Sequence, residues 1–151
     1  MTDLSSIHRT RVEQIATAAL SVETAGEGFF EITRDVAGFL KKIDARDGAL
    51  FLYLRHTSAS LVIQENADPD VRADLEAFFA TLAPEDPKRY RHDTEGADDM
   101  PAHLRAALTQ TQLSIPIAAG KLALGTWQGI YLFEHRRVAH QREIVLHVIG
   151  E

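Results

Sequence analysis

Seven histidines occur in this chain of 151 residues, and three fall where side chains from different elements can meet. His56 follows the apolar run Ala49-Leu50-Phe51-Leu52-Tyr53-Leu54. Strand alternation puts it on the face of Leu50, Leu52 and Leu54, at the end of a buried row and aimed at a cavity or interface. His103 lies on a helix, three residues after Met100 and four before Ala107, at the margin of an apolar stripe. His92 belongs to the polar stretch between the helices. Three neutral imidazoles from strand, loop and helix can share one divalent ion and leave a position open for water or substrate. Their wide spacing fits no local metal motif, and one core histidine with two at the surface satisfies the same positions. The loop His92-Asp93-Thr94-Glu95-Gly96-Ala97-Asp98-Asp99 can supply a general base or carboxylates that orient ligand histidines. Equally, it can be a solvated connection whose Asp99 caps the following helix.

Two further strings carry polar chemistry. His56-Thr57-Ser58-Ala59-Ser60 offers three hydroxyls after a buried strand, suited to phosphate oxygens or to an ordinary strand connection. No Gly-x-Ser-x-Gly elbow is present. Glu134-His135-Arg136-Arg137 and Arg142 concentrate positive charge, either to grip phosphate bidentately or to form a solvated turn. Gly125-Thr126-Trp127-Gln128-Gly129 sets the lone tryptophan between two glycines inside an apolar strand. That pattern marks a bulge where a ligand or neighbouring chain approaches, or a bend with Trp127 filling the core. His8, His140 and His147 have no supporting pattern.

The elements that must position these residues follow from periodicity and punctuation. Thr10–Glu23 and Phe29–Thr33, separated by Gly26-Glu27-Gly28, read as a hairpin of two strands. Asp35 opens a short helix with Val36, Phe39, Leu40 and Ile43 on one face. Strands follow at Ala49–Leu54 and Leu61–Gln64. Asp68-Pro69-Asp70 is a helix start, with an Asp cap, proline at the first position and acid at the positive dipole end. That helix carries Val71, Leu75, Phe78, Phe79 and Leu82 inward and stops near Pro84. Pro101 opens another helix with Leu104 and Leu108 inward. Three strands complete the chain: Gln112–Ile117, Lys121–His135 interrupted by Gly125 and Gly129, and Arg142–Ile149. The order predicts one α+β domain over residues 1–151, mostly antiparallel sheet packed with about three helices.

Composition sets limits on function. With 45% hydrophobic and 25% charged residues the chain is of globular type and long enough for one core. A formal charge of −6 gives no long-range attraction to nucleic acid or anionic lipid, so neither is expected as a partner. No cysteine is present, which removes disulfides, thiolate metal sites and cysteine nucleophiles. No signal-like or membrane-spanning apolar segment is evident, and a cytoplasmic protein is expected.

Taken together, the strings resemble the YjbQ (UPF0047) family. They are His56–Leu61, Glu65-Asn66-Ala67-Asp68-Pro69-Asp70-Val71, His92, Glu95–His103, Ile115-Pro116-Ile117, Gly120, Leu124–Ile130 and Glu134-His135-Arg136. Gln64 departs from the Asn-Glu-Asn string that the resemblance leads one to expect there. The resemblance implies a compact α+β fold assembling as a homotrimer, with pockets at or near subunit interfaces. It implies a histidine-rich site that maps onto His56, His92 and His103 and would hold a divalent metal, zinc or magnesium. It also implies a weak thiamine-phosphate synthase-like reaction, joining a pyrimidine pyrophosphate to a thiazole phosphate with release of pyrophosphate. The expected function is therefore a metal-assisted transferase on a small phosphorylated metabolite. Thr57, Ser58, Arg136 and Arg142 would hold phosphate, while Thr126, Trp127, Gln128 and Glu134 border the substrate. Glu95, Asp98 and His56 are the expected catalytic groups. The alternatives are a metal-dependent phosphoester hydrolase and a non-catalytic trimer that binds a metabolite.

Overall fold

Alternation of buried and exposed residues along the strands builds two sheets that share one core. A computed structural model describes residues 3–151. The elements are β1 (Gln14–Thr24), β2 (Gly28–Glu31), α1 (Thr33–Lys42), β3 (Gly48–Leu54), β4 (Ala59–Glu65), α2 (Pro69–Leu82), α3 (Asp99–Leu108), β5 (Gln112–Ala118), β6 (Lys121–Leu122), β7 (Gln128–Glu134) and β8 (His140–Gly150). The strands form a five-stranded sheet ordered β1-β8-β3-β5-β6 and a three-stranded sheet ordered β2-β7-β4. All pairings are antiparallel. With three α-helices and one sheet-dominated core, this is the single α+β domain that the sequence predicts.

The core draws Leu50, Leu52 and Leu54 from β3, Ile144, Leu146 and Val148 from β8, Ile130 and Leu132 from β7, and Leu61 from β4. Helix α1 closes it with Val36 and Leu40. Burying each such side chain contributes roughly 1.5–3 kcal/mol against the cost of ordering the chain.

Several local expectations differ from the structure. The first two strands do not form a hairpin: β1 pairs with β8, and β2 pairs with β7 in the other sheet. The Gly26–Gly28 segment is a crossover between sheets. Gly26 has φ +141°, and a Cβ there would lie 2.8 Å from the Arg137 carbonyl oxygen, so only glycine lets the two loops meet. Helix α1 starts at Thr33, placing Asp35 inside its first turn rather than at its cap. The Asp68 side chain does cap α2, accepting from the Asp70 amide at 2.9 Å. However, α2 buries no residue completely, and Phe78 and Leu82 are exposed. It lies at the periphery, where Phe79 meets Phe133 edge-on at 5.5 Å. Helix α3 begins at Asp99, two residues before Pro101, and buries Pro101, Ala102 and Arg105, with Leu104 half-buried and Leu108 exposed. Gly125 interrupts the strand as expected, whereas Gly129 stays inside β7.

One end of the molecule collects the polar strings. There β3 ends, β4 begins at Ala59 opposite Glu134, and β8 begins opposite the end of β1. Helix α3 packs against β4 at this end, with His103 on the β3–β4 connection. No described helix is long and apolar enough to cross a membrane.

Candidate metal and anion site

The first turns of α3 place Asp99 and His103 four residues apart on one helix face. The preceding loop returns His92 to the same spot. His92 Nε2 lies 2.6 Å from Asp99 Oδ2, and His103 Nε2 lies 3.3 Å from the same oxygen. One ligand atom from each of the three residues falls within 4.8 Å of the others. His103 Nδ1 lies 2.9 Å from the Thr57 carbonyl oxygen. A carbonyl only accepts, so Nδ1 of His103 carries a proton and Nε2 is turned towards the Asp99 carboxylate, the orientation in which Nε2 could offer its lone pair to a metal ion. Burial alone would raise the Asp99 pKa. The hydrogen bond from His92 and the charges of Arg136 and His103 outweigh it and hold the group below its ordinary value. Two imidazoles and one carboxylate within reach fit a divalent ion with open positions.

Asp99 is the residue that sequence reasoning misses, because its place before Pro101 reads as a cap. Its four-residue spacing from His103 is the available signal. His56, expected as the third ligand, stands outside this group: its Nε2 accepts from the Glu143 amide at 2.9 Å. Burial, followed by the Arg142 charge, pushes its pKa below the ordinary histidine value.

His103 also lines the main cleft, which holds about 570 Å³. Tyr53, Leu54, Ala106 and Ala107 supply its less polar wall, and His56, Thr57, Ser58 and Arg142 its polar one. Arg142 is 3% exposed and is anchored by Glu134. Its Nε donates to Glu134 Oε2 at 2.7 Å, and its Nη2 donates to Glu134 Oε1 and to Ser58 Oγ at 3.0 Å. Glu134, fully buried, also accepts from the Thr24 hydroxyl and from the His135 and Arg136 amides. Burial pushes the Glu134 pKa up, but these donors, Arg142 first among them, bring it below the ordinary value. Glu134 therefore positions Arg142 instead of bordering a substrate itself.

Arg136 is committed elsewhere than expected. Its Nε donates to Asp98 Oδ2 at 3.0 Å, its Nη1 to Asp99 Oδ1, and its Nη2 to the Glu95 carbonyl at 2.9 Å. A guanidinium so occupied holds the metal-type carboxylate in place, with three of its five N–H groups already engaged within the protein. Asp98 binds Arg136 and the Arg137 amide, not a histidine. Glu95 is exposed and enters the network through its backbone carbonyl. Thr126, Trp127 and Gln128 lie at the opposite end of β7, outside this cleft, with Trp127 62% exposed. Their loop is tightly held: Gly125 N donates to Gln128 Oε1 at 2.8 Å, and a Cβ at Gly129 would meet Asn66, Glu31 and Tyr131 at 3.0 Å. Trp127 thus neither fills the core nor touches the histidines of its own chain.

A family model described as "UPF0047 protein YjbQ-like" matches residues 18–151. A UPF0047 protein of Synechocystis is 53% identical over 132 residues, covering 87% of this chain and 90% of that protein. The UPF0047 protein YjbQ of Escherichia coli O157:H7 is 42% identical over 133 residues, covering 87% and 96% respectively. Among solved structures, an uncharacterized YjbQ/UPF0047 protein of Clostridium acetobutylicum superposes with a TM-score of 0.80 at 34% identity, covering 87% of this chain and 99% of that one. A conserved hypothetical protein of Thermus thermophilus gives a TM-score of 0.76 at 38% identity, covering 85% and 97%.

Proposed function

The chain belongs to the YjbQ-like UPF0047 family, and we propose that it is a metal-assisted transferase on small phosphorylated heterocycles, with thiamine-phosphate synthase-like activity. One observation carries the reading: His103 belongs both to the His92–Asp99–His103 group and to the cleft walled by Arg142. A site for a cation and a site for an anion therefore adjoin. A divalent ion held by His92, Asp99 and His103 would offset the charge of a pyrophosphate leaving group, and the imidazole donors favour zinc over magnesium. Arg142 binds and orients phosphate oxygens, assisted by the Thr57 and Ser58 hydroxyls. Tyr53, Ala106 and Ala107 cover the heterocycle and exclude water beside it. Arg136 keeps Asp99 ionised and in place.

The test begins with metal analysis of the purified protein. Near-stoichiometric metal is expected in the wild type, and its loss in Asp99→Asn and His103→Ala. Incubation with the pyrimidine pyrophosphate and thiazole phosphate should yield coupled product and pyrophosphate, falling at least ~100-fold in Asp99→Asn. Absence of metal from all three proteins sinks the reading. Phosphate release without coupling reassigns the site to phosphoester hydrolysis.

The same reading includes a homotrimer. The outer face of the five-stranded sheet carries rows Ile15-Ile149-Ala49 and Ala19-Val145-Tyr53 across β1, β8 and β3. Ile15 and Tyr53 are exposed, and no described element covers this face. Tyr53 belongs to both face and cleft, which puts the proposed subunit contact beside the site. The lack of cysteine agrees with a cytoplasmic setting in this reading.

A further inference from the structure

His56 ends the apolar row of β3, lines the cleft next to Arg142, and belongs to no metal-type group among the described residues. Its hydrogen bonding fixes more than its position. Nε2 lies 2.9 Å from the backbone nitrogen of Glu143, and a peptide N–H only donates. Nε2 must therefore carry the lone pair, so the proton of the neutral ring resides on Nδ1. Protonating Nε2 would set two hydrogens against each other across that contact, and the neighbouring Arg142 charge opposes a cationic ring. Among the described residues Nδ1 has no hydrogen-bond partner, yet it is not one of the buried unpaired atoms. Nδ1 is therefore not sealed in the interior, and the half-buried ring that carries it lines the cleft.

We infer that His56 is a tautomer-locked Nδ1–H donor that binds an acceptor oxygen of an anionic ligand, and that it serves neither as general base nor as metal ligand. The inference rests on the phosphate-binding reading of the cleft. A base must accept a proton, and here Nδ1 already holds one while Nε2 is engaged by Glu143. Besides Tyr53 and His103, the remaining polar side chains that line the cleft are those of Arg55, Arg142, Thr57, Ser58 and Thr111, each able to donate. A wall of donors with no free carboxylate selects a phosphate oxygen over a cation or an amine.

Two variants separate the two ring nitrogens. In His56→Gln the amide oxygen can still accept the Glu143 N–H, but the donor at the Nδ1 position is gone. In His56→Asn the amide nitrogen occupies the Nδ1 position and the contact to Glu143 is lost. The full-length protein, labelled with ¹⁵N-histidine, should show the His56 ring in the Nδ1–H pattern in long-range ¹H–¹⁵N spectra, beside those of His103 and His140, whose Nδ1 atoms face backbone carbonyls. The His56 signal should be absent from His56→Gln and unchanged in the wild type between about pH 7.5 and 6. Titration with inorganic phosphate and pyrophosphate should shift it. The dissociation constants should rise about tenfold or more in His56→Gln, and no more than about threefold in His56→Asn. An Nε2–H pattern for His56, or equal anion affinity in wild type and His56→Gln, overturns the donor role alone. No binding of either anion by the wild type overturns the phosphate reading of the cleft, and the donor role with it.

Discussion

At the level of single residues, the site depends on which charges are buried together. Glu134 and Arg142 are both almost inaccessible, so removing one leaves an uncompensated charge in the interior. Glu134→Leu should cost about 3–5 kcal/mol in urea unfolding, whereas the Glu134→Leu/Arg142→Leu double variant should recover most of that loss and still fail to bind phosphate. His135 supplies a pH dependence. Burial, then the charge of Arg105, lowers its pKa to about 3 from the ordinary 6.5. Below pH 6.5 the unfolded chain binds a proton that the folded chain refuses, so stability is full above pH 6.5 and declines as pH falls towards about 3. The lowered pKa values of Asp98, Asp99 and Glu134 act in the same direction at acid pH. Urea midpoints measured from about pH 7.5 to 4 should fall, and the fall below about pH 6.5 should be shallower in His135→Phe. His92 and His103 are legible from the sequence as members of a possible group, because the first lies in a polar loop and the second at the margin of an apolar helix stripe. Asp99 is hidden because Pro101 suggests a helix boundary two residues late. His56 is drawn to the metal by sequence alone because its partner is a backbone amide on β8, a contact that no side-chain pattern encodes.

Among the elements, two helices with apolar stripes have different standing. Val36 and Leu40 of α1 are fully buried, while no residue of α2 is. Leu40→Ala should therefore cost about 2–5 kcal/mol, and Phe78→Ser on α2 less than about 1 kcal/mol. Thermal and urea unfolding of the two variants check the contrast. Periodicity reveals both stripes but not which layer each will meet, since burial depends on what the sheets leave uncovered. The strands at Ala49–Leu54, Gln112–Ile117 and Arg142–Ile149 are readable because each alternates or runs apolar between turn residues. The hairpin expected around Gly26 is absent, because the glycine serves a close passage past Arg137 in place of a two-strand turn.

For the molecule as a whole, the outer sheet face makes the assembly testable. The centre of that face carries Phe51, flanked by Thr17, His147 and Ser114. A trimer measured by sedimentation equilibrium should dissociate to monomers in Phe51→Arg, with the fold retained by circular dichroism. An unchanged mass would place the contact elsewhere. The antiparallel α+β class is legible from the order of patterns, but the division into two sheets is not, because strand partners are chosen across long sequence separations. The buried Glu134–Arg142 pair bears on that choice as the chain folds. Slipping β8 by one residue against β1 and β3 would turn Arg142 to the outer face and leave Glu134 alone in the interior. The same slip would expel Ile144, Leu146 and Val148 from the core, so the buried pair adds a charge penalty of about 3–5 kcal/mol to the apolar one and the native register is favoured on both counts.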